Sequence, residues 1–278
     1  TFYDPLGYLV DEAKTYGIQV YALVAPLSGA NGSIAQEHPD WFSDGFLDLS
    51  QTQSLEFLGE VCQELTSNYD LGGIVFHRFE ENPTPTNQQI SAMEALFPQT
   101  KSQLAQDGQR LGVITSGDAL TNPDGLDLVS QPAASGALDF VVPSYDNGAQ
   151  PDPDLLSASL SAWQGLGLPY YPLHQVSDDN IFTHEADNSI YYENQYGASG
   201  SVISSYGFLN SKNRLAASLL ASTFRQQSAQ LPEMDWPQIL EVTRPTETLT
   251  VSSDTSAYFV TGTSDPSQPI LYKGKELE

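Results

Sequence analysis

Asn68-Tyr69-Asp70-Leu71-Gly72-Gly73-Ile74-Val75-Phe76-His77-Arg78-Phe79-Glu80 is the stretch on which the fold turns. A helix-compatible run stops at a pair of glycines, a short wholly apolar run follows, and that run ends in a burst of titratable side chains. This is how a buried parallel strand reads when a site is built at its C-terminal end. An earlier stretch repeats the step. Asp4-Pro5-Leu6 opens a helix that runs into Gly17-Ile18-Gln19-Val20-Tyr21-Ala22-Leu23-Val24.

Apolar spacing extends the alternation along the chain. Residues 4–16 read as a helix, with Asp4 as N-cap, Pro5 at the first helical position, and Leu6, Leu9, Val10 and Ala13 on one face. Gly17 closes it, and 18–25 is a buried strand. A loop carrying His38-Pro39-Asp40-Trp41-Phe42 leads to a helix at 53–67 and a strand at 73–79. After a Pro-rich loop at 80–87 comes a helix at 88–106, with Ile90, Met93, Leu96 and Phe97 on its apolar side and Pro98 as a kink. Strands are expected at 111–116, at 138–143 (ending in Ser144-Tyr145-Asp146), at 168–173 (ending in His174) and at 201–206. Helices are expected at 153–164, 184–196 and 212–226.

Continuous apolar strands joined by helices require a parallel sheet. Right-handed crossovers leave an open doubly wound sheet or a closed barrel. Polar residues at nearly every strand end favour the barrel, an α/β (β/α)8 TIM-type fold of which six strands are found and two are not. From about 237 the texture changes. Runs at 239–242, 248–251, 257–261 and 270–272 alternate in β fashion between turn residues. The expected organisation is a partial barrel over 1–236, then the start of a small β-sandwich-like module over 237–278.

The 278 residues carry 10 basic and 35 acidic side chains, a formal charge of −25. Such a surface repels nucleic-acid phosphates and anionic lipid, so neither is expected as a partner. It suits extracellular solubility or a saline setting. The single cysteine, Cys62, lies on the apolar stripe Leu55, Leu58, Val61, Cys62, Leu65 and reads as a small buried hydrophobe. No apolar run reaches the ~18 residues that span a bilayer. With neither a signal peptide nor an initiator Met, the chain reads as an internal piece of a longer product.

Tyr3-Asp4-Pro5-Leu6, the Gly17–Ala22 strand, His38-Pro39-Asp40-Trp41, Leu47-Asp48-Leu49-Ser50, Tyr69–Ile74 and Leu138-Asp139-Phe140-Val141-Val142-Pro143 together resemble the glycoside-hydrolase-like 10 family, over roughly residues 3–225. The resemblance implies a (β/α)8 barrel acting on glycan strands of the bacterial cell envelope. It also implies that this chain begins after the family's first two strands. The tail Phe259–Pro266 looks like the opening of an immunoglobulin-like module. A barrel lacking two strands is expected to aggregate or to pair with another copy when expressed alone.

Family members usually read Asp-Gly-Ile-His-Phe-Asp-Asp-Tyr at the fourth strand. Here Gly72 stands for the first Asp, Val75 for the His, and His77 and Arg78 for the Asp pair. The aromatic–Asn step after the third strand has become Leu23-Val24-Ala25-Pro26.

Glycoside hydrolysis needs two carboxyl groups, ~5–5.5 Å apart for retention and ~6.5–9.5 Å apart for inversion. Acids just past strand ends are Glu80, Glu81, Asp118, Asp146, Asp178 and Asp179. Of these, Glu80 and Asp146 form the expected catalytic pair. His77, Arg78 and His174 are candidate sugar-binding groups, and Tyr145, Tyr206 and Trp41 candidate stacking platforms. The four histidines show no HExxH-like spacing, and neither a GxSxG elbow nor a phosphate loop is present, so no metal or cofactor is expected. The expectation is a glycoside hydrolase of an extracellular or cell-envelope glycan; the alternative is a catalytically inactive glycan-binding barrel.

Overall fold

The computed structural model describes residues 4–27, 32–43, 46–77, 87–104, 108–117, 124–145, 153–175, 195–204, 270–272 and 275–277. The first helix, α1 (Pro5–Thr15), starts where Asp4 Oδ1 accepts hydrogen bonds from the Leu6 and Gly7 amides, 3.1 Å each. It ends in a paired C-terminal turn. The Gly17 amide donates to the Lys14 carbonyl and the Ile18 amide to the Ala13 carbonyl, with Gly17 at φ +68°. The expected apolar face is only half covered: Val10 is buried, whereas Leu9 is 54% exposed.

Six parallel strands follow in strict sequential order: β1 (Tyr21–Val24), β4 (Gly73–Phe76), β5 (Arg110–Ser116), β6 (Phe140–Tyr145), β7 (Leu173–Gln175) and β8 (Val202–Ser204). Between β1 and β4 the chain makes a short excursion through α2 (Ser33–Glu37), a 3-10 turn (Pro39–Trp41) and a hairpin of β2 (Phe42–Ser43) with β3 (Phe46–Leu47). It re-enters the sheet through α3 (Thr52–Asn68). The later crossovers include α4 (Asn87–Gln103), α5 (Asp124–Ala134) and α6 (Pro153–Gly165). The strand order never reverses, so the sheet has no switch point of the doubly wound kind.

The two sheet faces are filled differently. Ile74, Phe76, Leu111, Val113 and Val141 pack with Leu58 and Cys62 of α3, Leu96 and Phe97 of α4, Val129 of α5, and Leu156, Leu160 and Trp163 of α6. The opposite face holds Val75, Phe140, Val142 and Leu173, packed with Tyr21, Ile114, Tyr171 and Val202, all from strands or the segment leading into β7. Helices on one face and strand side chains on the other are the layers of a barrel wall. The chain is therefore an α/β protein with a partial TIM-type barrel.

The N-terminal end of this wall is stapled by Asp139. Its Oδ2 accepts from the Leu111 amide at 2.7 Å, and its carboxylate pairs with Lys101 of α4 and with Arg110 of β5. Its own amide returns a bond to the Leu111 carbonyl. One carboxylate thus ties β5 to the entry of β6 and to the helix layer.

Several expectations are corrected. The chain carries a helix, α5, that apolar spacing did not suggest, because Gly125 and Pro132 interrupt its pattern. The strand expected at 168–173 is displaced to Leu173–Gln175, with Tyr170 making only an isolated bridge to Val141. Pro169 and Pro172 lack amide hydrogens and serve as acceptors alone, for the Val141 and Val202 amides. In the tail, β9 (Ile270–Tyr272) and β10 (Lys275–Leu277) pair antiparallel. The runs at 239–242, 248–251 and 257–261 and the helix at 212–226 lie outside the described residues, as does nearly all of 184–196.

Two outcomes are expected. Gly73 sits at φ +146°, and a Cβ there would lie 1.8 Å from the Arg110 carbonyl oxygen. Gly136, at φ +73°, faces open space. In urea denaturation Gly73→Ala should cost at least about 3 kcal/mol, and Gly136→Ala about 1 kcal/mol. Equal costs would contradict the packing at β5.

Burial pushes the Cys62 thiol from 9.0 up to about 12. Between those values the unfolded chain has lost a proton that the folded chain keeps. Stability therefore falls as pH rises through that window, by up to about 1.4 kcal/mol per unit. Urea midpoints compared at about pH 8 and pH 10.5 should fall less for Cys62→Ala than for the parent. Parallel shifts would mean that the folded thiol ionises normally.

Candidate functional site

Alternation along each strand decides what faces the barrel interior. On β6, Phe140 and Val142 point inward and Val141 toward the helices, so Ser144 follows inward. On β5, Ile114 is inward, and Thr115 meets the start of α5 beside Gly125. Ser116 is then inward as well. On β8, Val202 is inward and Ser204 follows it. On β1, Tyr21 is inward while Ala22 and Val24 pack with the helix layer, leaving Leu23 inward and 55% exposed.

His77 extends the same logic. Its amide donates to the Val24 carbonyl at 3.0 Å, carrying the β1–β4 ladder one residue past Phe76. It therefore shares the inner face of Val75, and it is partly buried. Among the described residues the C-terminal mouth thus brings together Leu23, His77, Ser116, Ser144 and Ser204. None of the six strands carries a carboxylate.

The other expected site residues are placed as follows. Tyr145 takes the opposite parity to Ser144. It packs in the helix-side core at 9% exposure, against the position where Gly117 lacks a side chain. Trp41 lies in the 3-10 turn after β1. Its ring stacks on His38 (4.0 Å, 8° between planes) and tilts against Phe57 of α3 at 5.7 Å. His174 occupies the middle of β7, in register with Tyr145 and Ile203. Arg78, Glu80, Asp146 and Tyr206 lie outside the described residues, as do Glu81, Asp118, Asp178 and Asp179. None of the three serines was among the expected site residues; counting by twos outward from Ile114, Val142 and Val202 would have found them.

The mouth is braced from the helix side. The Trp163 indole N–H donates to the Gly117 carbonyl at 2.9 Å, and the Gly117 amide donates to the Ser144 carbonyl at 2.7 Å. Gly117 is held at both its peptide groups, which fixes the turn that follows Ser116. At the opposite end the interior is closed by rings. Phe140 meets Tyr21 and Tyr171 edge to face, with centroids 5.7 and 5.8 Å away. Burial pushes both tyrosine hydroxyls above their ordinary range, the Arg110 guanidinium opposing the shift at Tyr21. They are hydrogen-bonding groups near neutrality, not proton carriers. Among the described residues no group of three or more His, Cys, Asp or Glu side chains is placed to hold a metal, and no helix is long and apolar enough to cross a membrane.

No family model and no curated protein matches this sequence. Solved structures do match. A GH18 chitinase from Pseudoalteromonas aurantia superposes with a TM-score of 0.58 at 12% identity, covering 79% of this chain and 82% of that one. The C-terminal domain of a putative chitinase from Desulfitobacterium hafniense gives 0.57 at 14%, covering 81% and 84%. The PgaB (BpsB) glycoside hydrolase domain from Bordetella bronchiseptica gives 0.54 at 13%, covering 78% of each. At such identities the likeness is one of fold, that of a TIM-type (β/α) barrel.

Replacing Trp163 by Phe keeps a ring in the core but strands the buried Gly117 carbonyl. The expected loss is about 1–3 kcal/mol in urea denaturation, with amide exchange at Gly117 accelerated beyond the global change. Unaltered local exchange would show that the indole fills space without bracing the mouth.

Proposed function

We propose that this barrel acts on a glycan, as a relative of the glycoside-hydrolase-like 10 barrels, in an extracellular or cell-envelope setting. The observation that carries the reading is the polar inner mouth at the C-terminal strand ends of a sequential parallel barrel, the place where such folds hold substrate. The likeness to chitinase and PgaB barrels supports it, and so does the ordered set of motifs from Asp4-Pro5 to Pro143. The acidic surface is compatible with a neutral polysaccharide and with life outside the cell.

With no carboxylate on the six described barrel strands, hydrolysis would draw its acid and its nucleophile or base from the loops beyond the strand ends. Glu80 after β4 and Asp146 after β6 are the pair assigned these roles. One would protonate the leaving oxygen while the other attacked the anomeric carbon or activated water. His77, on the inner face just ahead of Glu80 in the chain, would bond a sugar hydroxyl. The second reading, a barrel that binds glycan without cleaving it, is favoured by the same absence of carboxylates from the six described barrel strands.

The test is to incubate the protein with peptidoglycan glycan strands, chitooligosaccharides and plain polysaccharides, and to follow new reducing ends. Turnover is expected, reduced at least about 100-fold in Glu80→Gln and in Asp146→Asn. Turnover untouched by either change would remove the assigned pair. Retention on a glycan without turnover would select the binding barrel, and neither turnover nor retention would defeat both readings.

A further inference from the structure

We propose that the open edge of β1 and the outer side of α1 form one self-complementary face, on which a second copy of this chain docks about a two-fold axis centred on Leu23. The inference does not depend on what the mouth binds.

Two observations meet at this face. The first is where apolar surface is left open. Among the described residues the exposed large apolar side chains are Tyr8, Leu9, Tyr16, Ile18 and Leu23, all from α1 or the segment that runs from it through β1. One flank of α1 is occupied: a Cβ at Gly7 would lie 3.6 Å from the Tyr69 ring, and Asp4 and Lys14 bond Tyr69 and Asp70 at the end of α3. Tyr8, Leu9, Glu12 and Tyr16 share the opposite side of the helix, and all four are exposed. In the same way β1 has β4 on one side and stands at the end of the sheet.

The second is the backbone of that edge. The Gly72 amide donates to the Val20 carbonyl and the His77 amide to the Val24 carbonyl, so the even-numbered residues of β1 turn toward β4. Alternate residues turn the other way, which aims the Leu23 N–H and C=O at the open edge. Edge strands are ordinarily guarded by charged side chains. Here residues 15–36 carry none, in a chain of formal charge −25.

Charge and symmetry select the occupant. Two such acidic chains repel each other, and an uncharged edge lets them approach with little of that repulsion. In an antiparallel pair of β1 strands centred on Leu23, the two Leu23 residues exchange both backbone bonds. An axis perpendicular to the sheet keeps both helix layers on one face and brings the outer sides of the two α1 helices together. One operation thus covers both open features. The five side chains offer roughly 600 Å² per copy, at about 200 Å² for a whole side chain of this size. Two copies then reach the roughly 1,200 Å² at which stable interfaces begin. Glu12, between Leu9 and Tyr16, meets like charge across the axis, so salt should tighten the pair.

The experiment is sedimentation equilibrium of the full chain over a range of concentrations, at about 0.05 and about 1 M NaCl, with cross-linking of single-cysteine variants. Expected is a dimer that tightens with salt. Leu9→Glu combined with Tyr16→Glu should weaken it at least about tenfold, at an unchanged circular dichroism spectrum. In a Cys62→Ala background, Leu23→Cys should cross-link under diamide, because directly paired antiparallel residues stand about 5.5 Å apart at Cα, within disulfide reach. Gly165→Cys, exposed at the end of α6, should not. A monomer at every concentration and salt would overturn the second copy and leave the edge to a different chain. A dimer that salt dissociates, or one that neither links through Leu23→Cys nor responds to the α1 changes, would overturn this face. Assemblies growing past the dimer would overturn the closed two-fold pairing in favour of β1 meeting β8 head to tail.

Discussion

Among the described residues no helix covers the inner face of this sheet, and the strands fill it with their own side chains. That constraint governs the rest. Phe140 stands edge-on to Tyr21 and Tyr171 across the closed end, and such large rings fit only because their neighbours are missing side chains. A Cβ at Gly112 would fall 2.3 Å from the Phe140 ring, and one at Gly72 would fall 2.7 Å from the Tyr21 ring. Three aromatic bodies and their glycine recesses close one end of the wall with apolar surface. The polar inner positions are thereby confined to the opposite end, where the loops gather.

This division explains how much could be read in advance. Strand existence was legible where a strand is buried on both faces and therefore apolar throughout, as at Ile74-Val75-Phe76 and Phe140-Val141-Val142. Helices whose stripe repeats without interruption were equally plain, as in α3, where Leu58 and Cys62 meet the sheet. What escaped was local backbone chemistry. Pro169 and Pro172 silence two donors, so an apolar run that looks like one strand becomes an isolated bridge and a shorter strand. In α5 a proline in the last turn and a glycine near the first disguise a helix whose Val129 is fully buried. Leu9 was expected to be covered with Val10 because periodicity marks a face; whether a neighbour exists to cover that face lies beyond one element's pattern.

The site divides in a similar way. That function would gather at C-terminal strand ends follows from the parallel arrangement alone. Which side chains share the mouth depends on parity, and parity can be counted only once a strand's inward residues are known. His77 joins the mouth because Val75 is inward; Tyr145 joins the helix-side core because Val142 and Ser144 are inward. An aromatic and a hydroxyl one residue apart thus part company. The aromatic looked the more promising platform from sequence, because residue type was visible and direction was not.

A mouth built in this manner assigns recognition and chemistry to different parts of the chain. Groups on strands are held by the sheet ladder and, at Gly117, by the Trp163 indole, so they present a fixed surface to whatever enters. Carboxylates, whose charged forms are costly to bury without partners, are absent from the six described barrel strands, and Glu80 and Asp146 fall in the segments that follow β4 and β6. Such segments can change length and sequence without disturbing the aromatic plug or the Asp139 staple. On the glycan reading, one scaffold could then pass between cleaving and merely holding its ligand by changes in the loops alone. The carboxylates beyond β4 and β6 would decide which it does, and the strand-borne groups of the mouth would serve either state.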